Sequence, residues 1–267
     1  MILASILIAT FASGVLSVLL AGWLALPLLA RMLPHMVSLS TGVMLAAALL
    51  DILPEAFEAH DGVAAAEPQA LFATLLGGLL FFFLLEKVEL YRHNHHHEGD
   101  DPHHHHHHGF DAEQAGKGGW SVLVGDATHN FCDGVLIGAA FLADPGLGWL
   151  TALAVGVHEI PHELSAFIVL LHAGFTRRRA LVFNCITGLA SVLGGVLAYV
   201  ALAPFQAALP YMLMVAASTL IYIAVADLIP QLQKRLDWRD TALQLGWMGA
   251  GIGLIALISG VAHGHAH

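Results

Sequence analysis

From Trp149 to Ala173 the chain is apolar and long enough to cross a bilayer, yet its middle reads His158-Glu159-Ile160-Pro161-His162-Glu163. A span needs about 20 residues. Ionisable groups at that depth are expensive, and they are kept where they perform a function. At 100° per residue, His158, Glu159, His162 and Glu163 fall within an arc of about 140°, the two histidines nearly stacked. One face of one helix therefore offers two imidazoles and two carboxylates, a donor set for a metal ion. Pro161 removes a helical hydrogen bond and deprives the Val157 carbonyl of its amide. A helix broken at that point would suit the wall of a polar conduit.

A second polar cluster precedes it, Asp126 followed by His129-Asn130-Phe131-Cys132-Asp133-Gly134. His129 and Asp133 are four residues apart and share a face, with Asn130 beside it. A lone buried histidine usually just hydrogen-bonds a neighbouring helix. Two such clusters on consecutive spans point instead to metal coordination, because so much buried polarity needs a cation or close pairing. Imidazoles mixed with carboxylates suit Zn²⁺ and its first-row neighbours, whereas Ca²⁺ and Mg²⁺ prefer oxygen alone. Cys132 and Cys185 lie in apolar runs and read as packing.

The rest of the chain supports a membrane setting. It has 267 residues, 57% hydrophobic and 11% charged, where soluble domains carry about 25% charged residues. Apolar runs give eight spans, roughly 2–29, 36–57, 69–91, 119–142, 149–173, 181–203, 210–231 and 242–262. The expected architecture is an all-α integral membrane protein of eight transmembrane helices. Its division is helices 1–3 over 1–92, a His-rich loop over 93–118, helices 4–8 over 119–262 and a short His-containing tail over 263–267. The ten Lys and Arg fall in or beside the first, third, fifth and seventh connections. The positive-inside rule then puts both termini outside and the His-rich loop in the cytosol. Only ten Lys and Arg, scattered along the chain, argue against nucleic acid as a partner. The partners expected are divalent metal ions and the lipid bilayer, with a homodimer left open.

Asp51-Ile52-Leu53-Pro54-Glu55 closes span two and Asp227-Leu228-Ile229-Pro230-Gln231 closes span seven. The two spans run in opposite directions, which fits an inverted repeat of helices 1–3 and 6–8 around helices 4 and 5. Met44, Asp51 and Glu55 share a face of span two, and Asp227 is their counterpart candidate on a metal pathway. Glu86 and Glu89, beside Lys87 and Arg92, read as interfacial anchors. His93, His95, His96, His97, His103, His104, His105, His106, His107 and His108 form a flexible metal-binding segment; an affinity tag is the bland alternative for the run of six.

HNFCDG followed by HEIPHE resembles the ZIP (Zrt/Irt-like) zinc transporters, in the branch whose fifth helix carries HExPHE. The resemblance implies a two-metal transport site shared by helices 4 and 5 of a multi-pass cell-membrane protein. By position, His129, Asp133, His158 and His162 form the primary site, and Asn130 and Glu159 reach a neighbouring one. In many members helix six adds a carboxylate; here only Asn184 and Thr187 stand there. The ion, Zn²⁺ with Cd²⁺, Fe²⁺ or Mn²⁺ as further candidates, is transported substrate and not a cofactor.

Two other classes compete. His158-Glu159-x-x-His162 matches the HExxH pattern of zinc metalloproteases, in which the glutamate activates water. Pro161 within the motif, and the surplus donors His129, Asn130 and Glu163, argue against an intramembrane protease. A membrane metal sensor without transport is the third reading, and flux separates it from the first.

Overall fold

The computed structural model describes residues 1–23, 26–58, 66–94, 119–234 and 237–264. Among these residues there is no strand, and eight long helical runs follow one another: α1 (2–23), α2 (26–57), α3 (Pro68–Asn94), α4 (Gly119–Ala143), α5 (Pro145–His172), α6 (Arg177–Leu202), α7 (209–232) and α8 (Trp238–Gly264). Seven contain a stretch long and apolar enough to cross a membrane. The other, α4, has 25 residues, about 37 Å of helix, so it lacks apolarity rather than length. Asp126, His129, Asn130 and Asp133 account for the deficit.

Most boundaries fall within a few residues of the hydropathy reading. The exception is the junction of the first two spans, where α1 ends at Trp23 rather than near 29 and α2 is helical from Leu26, which takes Arg31 and Pro34 inside the helix. A proline in the first turn, here Pro27, has no need of an intrahelical amide partner and favours that earlier start. The His-rich loop beyond Asn94 lies outside the described residues, as does the tail from residue 265.

Pro161 does not break its helix. α5 runs unbroken from Pro145 to His172, and Ser165 Oγ donates to the Pro161 carbonyl at 3.0 Å. Irregular turns occur elsewhere, as π turns over Ala12–Leu16 in α1, Ala47–Ile52 in α2 and Ile223–Leu228 in α7. The second and third each end two residues before a proline, Pro54 and Pro230. A proline leaves the carbonyl four residues back without an amide, and the wider π turn lets such a carbonyl reach one residue further.

These matching turns carry Asp51 and Asp227 and form one sign of the inverted repeat. Helix pairing is another. α2 packs along α8, and α7, the repeat partner of α2, packs along α3, the repeat partner of α8. α1 meets its own counterpart α6 at Gly14 and Gly188, where a Cβ on Gly14 would stand 2.3 Å from the Gly188 carbonyl oxygen. α4 and α5 lie between the two halves. In the apolar stretches of α2 and α5, 67% and 61% of residues are buried, against 11% in α3 and α8; the first pair is central and the second peripheral.

The most extensive pairing is α4 against α6, and small residues permit it. A Cβ on Gly134 would lie 1.8 Å from the Ser191 carbonyl oxygen, and one on Gly194 would lie 2.1 Å from that of Phe131. The chain reaches α6 through a tight reversal. Gly174 takes φ 87°, Phe175 N–H donates to the Leu170 carbonyl, and Gly174 N–H donates to that of Leu171. That is a Schellman cap with glycine where left-handed backbone is required.

Candidate metal centre

α4 and α5 cross with their polar faces together. Nε2 of His129 stands 3.1 Å from Nε2 of His158, 3.4 Å from Glu159 Oε1 and 3.7 Å from Asp133 Oδ2. The His129 and His162 rings stack with centroids 4.5 Å apart, and His158 and His162 lie at 5.6 Å. Two groups of potential ligands result, each with donor atoms within 4.8 Å of one another: His129 with His158 and His162, and His129 with Asp133 and Glu159. His129 belongs to both.

These separations carry chemical information. Ligands at 2.0–2.1 Å in a tetrahedral zinc shell are about 3.3 Å apart along each edge, and the His129 approaches bracket that value. Burial adds a second constraint. Asp133, His158 and Glu159 are at most 2% exposed. The Asp133 and Glu159 carboxylates have each other and His129 Nε2 close by, and Nδ1 of His158 has no hydrogen-bond partner among the described residues. Buried carboxylates left this way are costly. Residues 119–172 contain no Lys or Arg, so compensation within α4 and α5 falls to the histidines or to a cation bound among them.

A family model described as ZIP Zinc transporter matches residues 86–259. The chain belongs to the ZIP zinc transporter family. Among curated relatives, it is 38% identical over 141 residues to "Zinc transporter foi" of Drosophila melanogaster, covering 52% of this chain and 20% of that protein. It is 41% identical over 128 residues to "Zinc transporter ZIP4" of Homo sapiens, covering 47% of this chain and 19% of that one. "Zinc transporter ZIP10" of Danio rerio matches at 35% over 147 residues, or 52% and 17%. The chain thus covers about a fifth of the length of these relatives.

Around the ligand groups of this ZIP chain lies an outer polar layer that draws in α6. Asn130 Nδ2 donates to Glu163 Oε1 and to the Asp126 carbonyl, both at 3.2 Å. Asn184 Nδ2 donates to the Glu163 carbonyl at 3.4 Å. Thr187 Oγ1 donates to Asp126 Oδ2, whose other oxygen faces His162 Nε2 at 3.4 Å. Asn130, Glu163 and Asn184 are at most 1% exposed. Asp126 and Glu163, both sequence candidates for the metal, are therefore brought beside the ligand groups but belong to neither, and Asn130 is hydrogen-bonded to Glu163.

The remaining candidates scatter. Met44 is fully buried in the apolar core. Asp51 is buried and accepts a hydrogen bond from Ser259 of α8. Glu55 is half-buried, and Asp227 is exposed and bonded by Gln231 Nε2 at 2.9 Å. Glu86 is no simple surface anchor, because the Tyr222 hydroxyl of α7 donates to it across the helix pair. Ser259 and Tyr222 had no signal in the sequence, since each matters only through a helix far along the chain. His93 lies in the last turn of α3, and the other loop histidines are outside the described residues.

Proposed function

We propose that this chain carries divalent transition metal, zinc foremost, across the membrane into the cytosol through the α4–α5 centre. The supporting observation is the shared position of His129, whose Nε2 lies within 3.7 Å of donors from His158, Glu159 and Asp133 inside a membrane-crossing bundle. The printed names of the relatives, all zinc transporters, agree with it.

In this reading a hydrated cation enters from outside and exchanges water for imidazole and carboxylate donors. His129 serves as the ligand common to both groups, so the ion passes between them without becoming bare. Affinity must stay moderate, because transport needs release as well as capture. The basic residues Arg177, Arg178 and Arg179, with the other Lys and Arg, support outward termini and a cytosolic His-rich loop. A cation entering from outside would then leave on the side of the His-rich loop.

The HExxH match supports a protease less than it first suggests. Pro161 leaves the helix intact, so helix breakage no longer argues against that reading. Two other features do. In a metalloprotease the motif glutamate activates water, whereas Glu159 is fully buried and groups with Asp133 and His129 as a potential ligand. Tracer uptake by purified protein in proteoliposomes separates the readings. Saturable accumulation of zinc-65 is expected; retention of zinc without flux would move the assignment to a sensor, and cleavage of a membrane peptide would move it to a protease.

A further inference from the structure

Asp126 occupies an unusual place. It lies on α4 one turn before His129, is 5% exposed, and belongs to neither ligand group. Its two oxygens face two different helices: Oδ2 accepts from Thr187 of α6, and Oδ1 faces Nε2 of His162 on α5 at 3.4 Å. Its own carbonyl accepts from Asn130. The Thr187 hydroxyl also lies 2.8 Å from the Asn184 carbonyl. It has one proton, and a carboxylate is the stronger acceptor. The hydroxyl is thereby committed to Asp126.

We propose that Asp126, braced by Thr187, is a positioning residue for His162, so that α6 tunes the metal centre without contributing a ligand to it. The chemistry is that of a carboxylate behind a metal-binding imidazole. A carboxylate at one ring nitrogen holds the proton there, leaves the lone pair on the other nitrogen for the metal, fixes the ring and raises its basicity. Thr187 fixes the carboxylate in turn. The α6 polar pair that replaces a carboxylate in this chain therefore acts at one remove, Thr187 on Asp126 and Asn184 on the Glu163 backbone. The inference rests on the cluster being a cation site, and its test must separate the two.

Cobalt is a suitable probe, because Co²⁺ takes zinc's donors and its visible bands report their number and geometry. The full chain is purified as wild type, Asp126→Asn, Thr187→Val, Thr187→Ser and His129→Ala, with helicity and monodisperse elution checked. Titration with Co²⁺ should show binding weakened 10–100-fold in Asp126→Asn and Thr187→Val, the range for loss of an outer-shell partner. Both variants should show altered bands, and Thr187→Ser should return toward wild type. Were Asp126 itself a ligand, Thr187→Val would leave the donor set whole. Unchanged affinity and bands in Thr187→Val, with binding lost in His129→Ala, would overturn this inference alone. Equal binding by wild type and His129→Ala would overturn the cation site and the inference with it. If Asp126→Asn fails to fold, the Thr187 pair decides.

Discussion

The Nε2 atoms of His129 and His158 stand 3.1 Å apart, although the residues are 29 positions apart and on different helices. Two facing imidazole nitrogens at that distance share a proton or a metal ion. The buried carboxylates of Asp133 and Glu159 beside them favour the ion, which would offset the charge of both. Because His129 belongs to both ligand groups, it should be the most sensitive position in the centre. Zinc affinity measured by calorimetry should fall further in His129→Ala than in Asp133→Ala or Glu159→Ala. The loss should be at least the 10–100-fold typical of an outer-shell change. A smaller loss for His129 would argue that the two groups are independent.

Acid should oppose the site. Metal binds neutral imidazole and ionised carboxylate, so every ligand proton competes with it. As pH falls from 8 toward 5, uptake should therefore decline. Initial rates between pH 5 and 8, at fixed free zinc and without a pH gradient, provide the check. A flat profile would exclude imidazole from the rate-determining ligand set.

The glycine of HNFCDG has a structural role that spacing alone did not reveal. A Cβ at Gly134 would meet the Ser191 carbonyl oxygen at 1.8 Å, whereas nothing lies within 4 Å of one at Gly246 in α8. Overpacking costs about 1–3 kcal/mol, and an unobstructed Gly→Ala change in a helix gains up to about 1 kcal/mol. Gly134→Ala should therefore lower the thermal midpoint in detergent and Gly246→Ala should hold or raise it. Equal midpoints would contradict the close α4–α6 crossing.

The His-rich segment is expected to be dispensable for flux. Residues 95–108 lie in sequence between α3 and α4, whereas both ligand groups are built by α4 and α5, so deleting this segment should leave the maximal uptake rate largely unchanged. Abolished uptake at normal expression would show that the loop belongs to the pathway.

Much of the architecture was legible because a bilayer demands long apolar runs, and the few interruptions in them stand out. Helical spacing on two adjacent spans brought out His129, Asn130, Asp133, His158, Glu159, His162 and Glu163 together, and only the family resemblance divided them into sites. Three things were not legible. Pro161 leaves α5 unbroken, whereas π turns precede Pro54 and Pro230 and another lies in α1 without a proline. Glu163 shares the sequence face of His162, but the crossing of α4 and α5 turns it to Asn130. The roles of Thr187, Ser259 and Tyr222 depend on which helices touch, and hydropathy does not encode that.

The central claim is that zinc crosses through the cluster centred on His129. The most direct measurement is zinc-65 uptake into proteoliposomes holding equal amounts of folded wild type or His129→Ala. The account predicts saturable uptake by wild type and background counts for the variant. Vesicles of the variant that load zinc at the wild-type rate would contradict it.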